Sequence, residues 1–195
     1  MTVQSITPAR PPVASPVRPS YFIWAAIALA AMIAAIVSEN IALLNFIHVM
    51  FGVLWTGIDL FMGFVVGPIL RRLPADSRRS VVMALVPRTL ILMPVLSAVT
   101  GTSGWFLAGQ MGFLDLAYPQ FLWVAGALAI VVVLTVQGLG ILLPTNLLVY
   151  FEVQKPQVDD AKVARWMRRY VFAVASQGVM QVAIIVIMSR FVTGL

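Results

Sequence analysis

Residues 41 to 70 read IALLNFIHVMFGVLWTGIDLFMGFVVGPIL, a run in which His48 and Asp59 are the only ionisable side chains. A helix of about 30 residues is roughly 45 Å long at 1.5 Å per residue, so it crosses a hydrocarbon core about 30 Å thick and must tilt or protrude beyond it. The whole chain has the same character. Of its 195 residues 61% are hydrophobic and 10% charged, against about one half and one quarter in soluble domains. A water-soluble globule is excluded, and one compact bundle is expected at this length.

Working outward, the first apolar run spans 21 to about 37. It lacks a convincing cleavage site and is turned into the next run by Ser38, Glu39 and Asn40, so it reads as a retained helix. A third span is expected from Arg88 to Gly109, interrupted by Pro94, a fourth from Phe121 to Tyr150 with Pro144 near its end, and a fifth from Tyr170 to Val192. Between the second and third, the stretch from Pro74 to Val86 reads as a short interfacial helix with Asp76 at its start. Residues 1 to 20 hold five prolines and no apolar run, which predicts a disordered tail. No strand pattern or repeat competes. The expected fold is therefore an all-α integral membrane protein, a bundle of five transmembrane helices forming one domain over 21–195.

The charges orient this bundle. Arg10 and Arg18 lie in the tail, Arg71, Arg72, Arg78, Arg79 and Arg88 between the second and third spans, and Lys155, Lys162, Arg165, Arg168 and Arg169 between the fourth and fifth. Only Arg190 lies on the other side. Because cytoplasmic loops carry the excess of Lys and Arg, the N-terminus is expected in the cytoplasm and the C-terminus outside. A net charge of +6 distributed beside helix ends does not point to nucleic acid. With no Cys, disulfides, thiolate metal sites and iron–sulfur clusters are excluded.

An ionisable residue at membrane depth costs about 2.5 to 3.5 kcal/mol on insertion scales, so each asks for a reason. His48 and Asp59 are 11 residues apart, three turns plus roughly 20°, which puts them on one helix face about 16 Å apart. Trp55 lies on the same stripe, and Asn45 precedes His48 by three, within reach on a helix surface. Counted from the outer end, His48 falls level with Thr100, Thr102 and Ser103. Asp59 falls level with Ser97, Gln137, Gln177 and Gln181, whose last two form an i, i+4 pair able to accept a buried acid.

His48 can be a neutral imidazole bonded between helices or an axial ligand, since imidazole is the usual protein donor to haem iron. Asp59 can be a structural acid, kept neutral by desolvation, or part of a proton relay. Met50 raises the thought of copper, but two residues from His48 on a helix it points about 200° away. Gly63 with Gly67, and Ser97 with Gly101, allow close helix contacts within or between chains. No nucleotide loop, catalytic triad or zinc-protease motif occurs, and Asp159-Asp160 reads as a solvated charge run. Any enzyme chemistry here would be a cofactor's.

The stretch His48-Val-Met-Phe-Gly-Val-Leu-Trp55-Thr-Gly57, running on to Pro68 and Arg71-Arg72, resembles a superfamily of small bacterial membrane proteins sharing H-x6-W-x-G on one helix. These include the copper-resistance D-type proteins, the membrane domain of a urate oxidase, an uncharacterised family of similar length and the HemJ-type protoporphyrinogen oxidases. The resemblance covers about 25 residues. It implies haem b held by His48 as metal ligand, or copper handling in the copper branch; the motif residues Trp55 and Gly57, with Asn45 by helix spacing and Thr100 by depth, are the residues expected around such a group. It also implies a bacterial inner-membrane location and a quinone or redox protein as electron partner. Ile58 stands where the copper and urate-oxidase types usually have a second Gly, and Asp59 follows where they are apolar. With a single His, one subunit cannot supply bis-histidine ligation. Three function classes follow: a redox protein or oxidoreductase subunit with haem at His48; a proton or cation transporter built on Asp59, Gln137, Gln177 and Gln181; and a cofactor-free accessory subunit in a homo- or hetero-oligomer.

Overall fold

A computed structural model describes residues 18–155 and 157–193. Most of the expected tail, 1–17, lies outside the described residues. Five helices long and apolar enough to cross a membrane make up the structure: α1 (Pro19–Val37), α2 (Ile41–Arg72), α3 (Ala75–Gln110), α4 (Phe121–Val153) and α5 (Asp160–Thr193). Among the described residues there is no strand. The chain is a multi-pass membrane protein, and its outer surface shows why it needs lipid: Trp24, Phe46, Phe64, Leu139 and Phe172 are each more than half exposed.

Pro19 opens α1, where a missing N–H costs nothing. The turn into α2 uses Glu39 in a left-handed conformation at φ 51°. Asn40 then caps α2, its Oδ1 accepting from the Leu43 N–H at 3.0 Å. In α2 and α4 a proline decides the local geometry. Pro68 and Pro144 have no N–H, and each ring would strike the carbonyl four residues back in a regular helix. Each helix relieves this by widening into a π-helical turn, Met62–Val66 and Gly138–Leu142, with the Gly67 N–H donating to the Met62 carbonyl and the Leu143 N–H to that of Gly138.

Two boundaries differ from those expected. The stretch 74–86 is no separate interfacial helix: α3 is continuous over 36 residues and carries Pro87 and Pro94 inside it. Its first turns are held in line because Val82 and Val86 are buried in the core with Leu70, Val149, Val153, Val163 and Met167. Asp76 sits in the first turn, and the N-cap is Pro74 without a side-chain bond. Likewise α5 starts ten residues before Tyr170. Asp159 Oδ1 accepts from the Lys162 N–H at 2.9 Å, and Val163 and Met167 join the same core, so Lys162, Arg165, Arg168 and Arg169 ride on helix, while Lys155 lies between α4 and α5.

The core has two halves. At the basic end α2, α3, α4 and α5 pack together through the cluster just named. Toward the opposite end Met32, Ala35, Leu44, Ile47, Val99 and Leu107 join α1, α2 and α3. The central helix, α2, therefore meets α3 at His48 and α5 at Asp59. Its approach to α5 is close: a Cβ on Gly63 would lie 2.8 Å from the Ala175 Cα, and one on Gly178 would lie 2.7 Å from Leu60. Gly63 and Gly67 thus serve a contact within the chain, whereas Gly101 has open space where its Cβ would be.

Candidate functional site

His48 is partly buried against α3, where only a glycine gives it room. A Cβ on Gly104 would lie 2.6 Å from the imidazole Cε1. His48 Nδ1 is 3.0 Å from the Thr100 carbonyl oxygen and 3.5 Å from Ser103 Oγ. The Ser103 hydroxyl is already committed to its own helix, donating to the Val99 carbonyl at 2.6 Å. Nδ1 therefore donates to Thr100, because a carbonyl can only accept, and in the neutral ring this leaves the lone pair on Nε2. Nε2 has no hydrogen-bond partner among the described residues.

The other residues expected near His48 are dispersed. Asn45 is exposed, in a shallow outer groove with Phe46, Val49, Met50 and Val53. Met50 shares that groove rather than the His48 face. Gly57 is exposed with open space at its Cβ position, on the far side of α2 because 9 residues at 100° each bring it about 180° round from His48. Trp55, half-buried one turn before Asp59, makes a polar approach to that carboxyl. Among the described residues no group of three His, Cys, Asp or Glu side chains could hold a metal.

Asp59 is fully buried, and Gln181 of α5 donates from Nε2 to its Oδ2 at 3.0 Å. Asp59 Oδ1 and Gln181 Oε1 are both buried without a partner. Two acceptors of one contact pair are thus left without a donor among the described residues. The remaining glutamines go elsewhere. Gln177 donates to the Leu134 carbonyl at 2.8 Å, and Gln137 accepts from Ser176 at 3.4 Å. Ser97 bonds the carbonyl of Pro94 in its own helix. The polar level around Asp59 thus reduces to one amide, with Trp55 beside it.

Two further polar contacts were not singled out from the sequence. Asn146 Nδ2 donates to Thr89 Oγ1 at 3.2 Å, joining α4 to α3 in the buried interior, and the buried Tyr170 hydroxyl lies beside Thr89. At the basic end the buried carboxylate of Glu152 is held by Lys155 at 2.8 Å and Lys162 at 3.8 Å, tying α4 to the start of α5. An amide deep in an apolar run was a legible signal for Asn146. Thr89 gave none, since threonine in a helix usually bonds its own backbone, as it also does here to the Leu85 and Val86 carbonyls. No family model, no curated protein and no solved structure matches this chain.

Proposed function

We propose that this chain is a haem b-binding redox protein of the membrane, or the redox subunit of a larger membrane complex, with His48 as axial ligand. The contact between His48 Nδ1 and the Thr100 carbonyl supports this. Metal-ligating histidines are commonly held in this way, one ring nitrogen tied to a carbonyl or carboxylate so that the other presents its lone pair. The residues fit one histidine ligand: Thr100 fixes the tautomer, Gly104 admits the ring, and Nε2 is left without a hydrogen-bond partner among the described residues. His48 is the only imidazole, and Met50 lies in another groove. His48 would therefore hold the haem with one imidazole per chain. Bound haem would supply one-electron chemistry, exchanged with a quinone or a redox protein. Pyridine extraction of protein purified from haem-replete cells should yield haem b at no more than one per chain. Haem-free protein would favour a cofactor-free accessory subunit.

The same reading puts the protein in a bacterial inner membrane with its N-terminus in the cytoplasm, supported by the alternation along the sequence, in which twelve of the thirteen Lys and Arg fall in the segments on one side of the five spans. The natural chain has no Cys, so single cysteines report directly. One placed at the exposed Asp115 should react with an impermeant maleimide in intact cells and one at the exposed Asp76 should not; the opposite pattern would invert the topology.

The orphaned oxygens of Asp59 and Gln181 support a second function, proton or cation transfer at α2 and α5. Asp59→Asn retains hydrogen-bonding capacity but cannot titrate. If Asp59 carries protons, proteoliposomes loaded with a pH-sensitive dye should show wild-type flux and at least a tenfold loss in the variant, with thermal stability within about 1 kcal/mol of wild type. Equal flux in the two, or none in either, would leave Asp59 a structural acid.

A further inference from the structure

The basic end of the bundle carries a groove of about 460 Å³ where α2, α3 and α5 meet. Gly67 and Val171 lie within it, both buried, and Phe172 lies at its exposed side. Each helix adds one arginine to the lining, Arg71 from α2, Arg78 from α3 and Arg168 from α5, and no carboxylate lines it. Among the described residues none of these three guanidinium groups has an ion-pair partner, because the two salt bridges present both use Glu152. Three positive charges thus converge from three chain segments onto a partly apolar hollow.

We propose that this groove is a binding site for one anionic glycerophospholipid of the leaflet at the basic end. Guanidinium groups donate paired hydrogen bonds that match a phosphate, and basic pockets between membrane helices suit acidic headgroups. The apolar part of the lining decides between a lipid and a free ion. Phe172, 65% exposed, continues from the arginines onto the lipid-facing side of α5, where an acyl chain finds contact and inorganic phosphate finds none. The site also has a structural role: one bound headgroup bridges α2, α3 and α5, whose basic ends otherwise repel one another.

The test is titration of the full-length protein in neutral detergent, followed by native mass spectrometry, with phosphatidylglycerol, phosphatidylcholine or inorganic phosphate as probe. The variants are R71Q/R78Q/R168Q and, as a control of equal charge change, R72Q/R165Q/R169Q, whose three positions are exposed at the same end and do not line the groove. A basic residue near a membrane surface is worth a factor of about five in affinity. Phosphatidylglycerol should therefore bind saturably to wild type and on the order of 100-fold more weakly to the groove variant, while the control stays close to wild type. Should the triple variant fail to fold, Arg168→Gln alone should weaken binding about fivefold. Equal losses in groove and control variants, equal binding of phosphatidylcholine, or inorganic phosphate competing as tightly as the lipid would each overturn the proposal.

Discussion

Gly63→Val is expected to destabilise the bundle by about 3 kcal/mol, at the upper end of what overpacking a close contact costs. A Cβ at Gly63 would stand 2.8 Å from the Ala175 Cα and 3.0 Å from its backbone nitrogen. Backbone atoms cannot rotate aside, so α2 and α5 must part. Asp59 lies one turn before Gly63 on α2, and its bond to Gln181 crosses the same interface. Separation there strands a buried carboxyl, which adds to the packing loss. Gly57→Val and Gly101→Val provide the contrast, since neither Cβ would meet anything within 4 Å. Thermal unfolding in detergent should show a large loss for Gly63→Val and a change below about 1 kcal/mol, the helix-propensity scale, for the other two. Similar behaviour of all three would mean that α2 and α5 do not pack as described.

The spacing of Gly63 and Gly67 announced a close approach but carried no information about its partner. The five spans were legible because hydropathy is local and cumulative: a run such as 121–150 has no soluble alternative. The start of α3 was not, because Pro87 and the arginines before it are local signals for a boundary, while the burial of Val82 and Val86 among side chains from α2, α4 and α5 is a tertiary effect that overrides them. The early start of α5 was hidden for the same reason. At the candidate site, the depth of His48 could be counted from the chain, but its acceptor is a backbone carbonyl, which no side-chain pattern marks. Gly104, whose missing Cβ admits the ring, had no reason to be singled out among thirteen glycines. The glutamines shared a level with Asp59 by counting, yet only Gln181 reaches it, while Gln177, one turn away on the same face of α5, donates to the Leu134 carbonyl.

His48→Ala is expected to remove bound haem altogether while leaving the protein inserted and folded. The substitution deletes the only imidazole in the chain and removes the ring donor to one backbone carbonyl, that of Thr100, which keeps the Ser103 hydroxyl at 3.2 Å. Such a loss costs about 1 to 3 kcal/mol when the group is buried. The surrounding contact of α2 with α3 is made by Leu44, Ile47, Val99 and Leu107, which the change does not touch. Gel filtration should therefore show an unaltered profile with the Soret absorbance gone. Retention of haem at the wild-type level would remove His48 from the ligand set, whatever the fold does.

The central proposal, that His48 holds haem iron through the ring nitrogen not bonded to Thr100, is tested most directly by the absorbance spectrum of the wild-type protein, purified in detergent from haem-replete cells and recorded oxidised and then dithionite-reduced. A Soret band that shifts on reduction, with an α band appearing, is the predicted result. A colourless preparation in both states would contradict it.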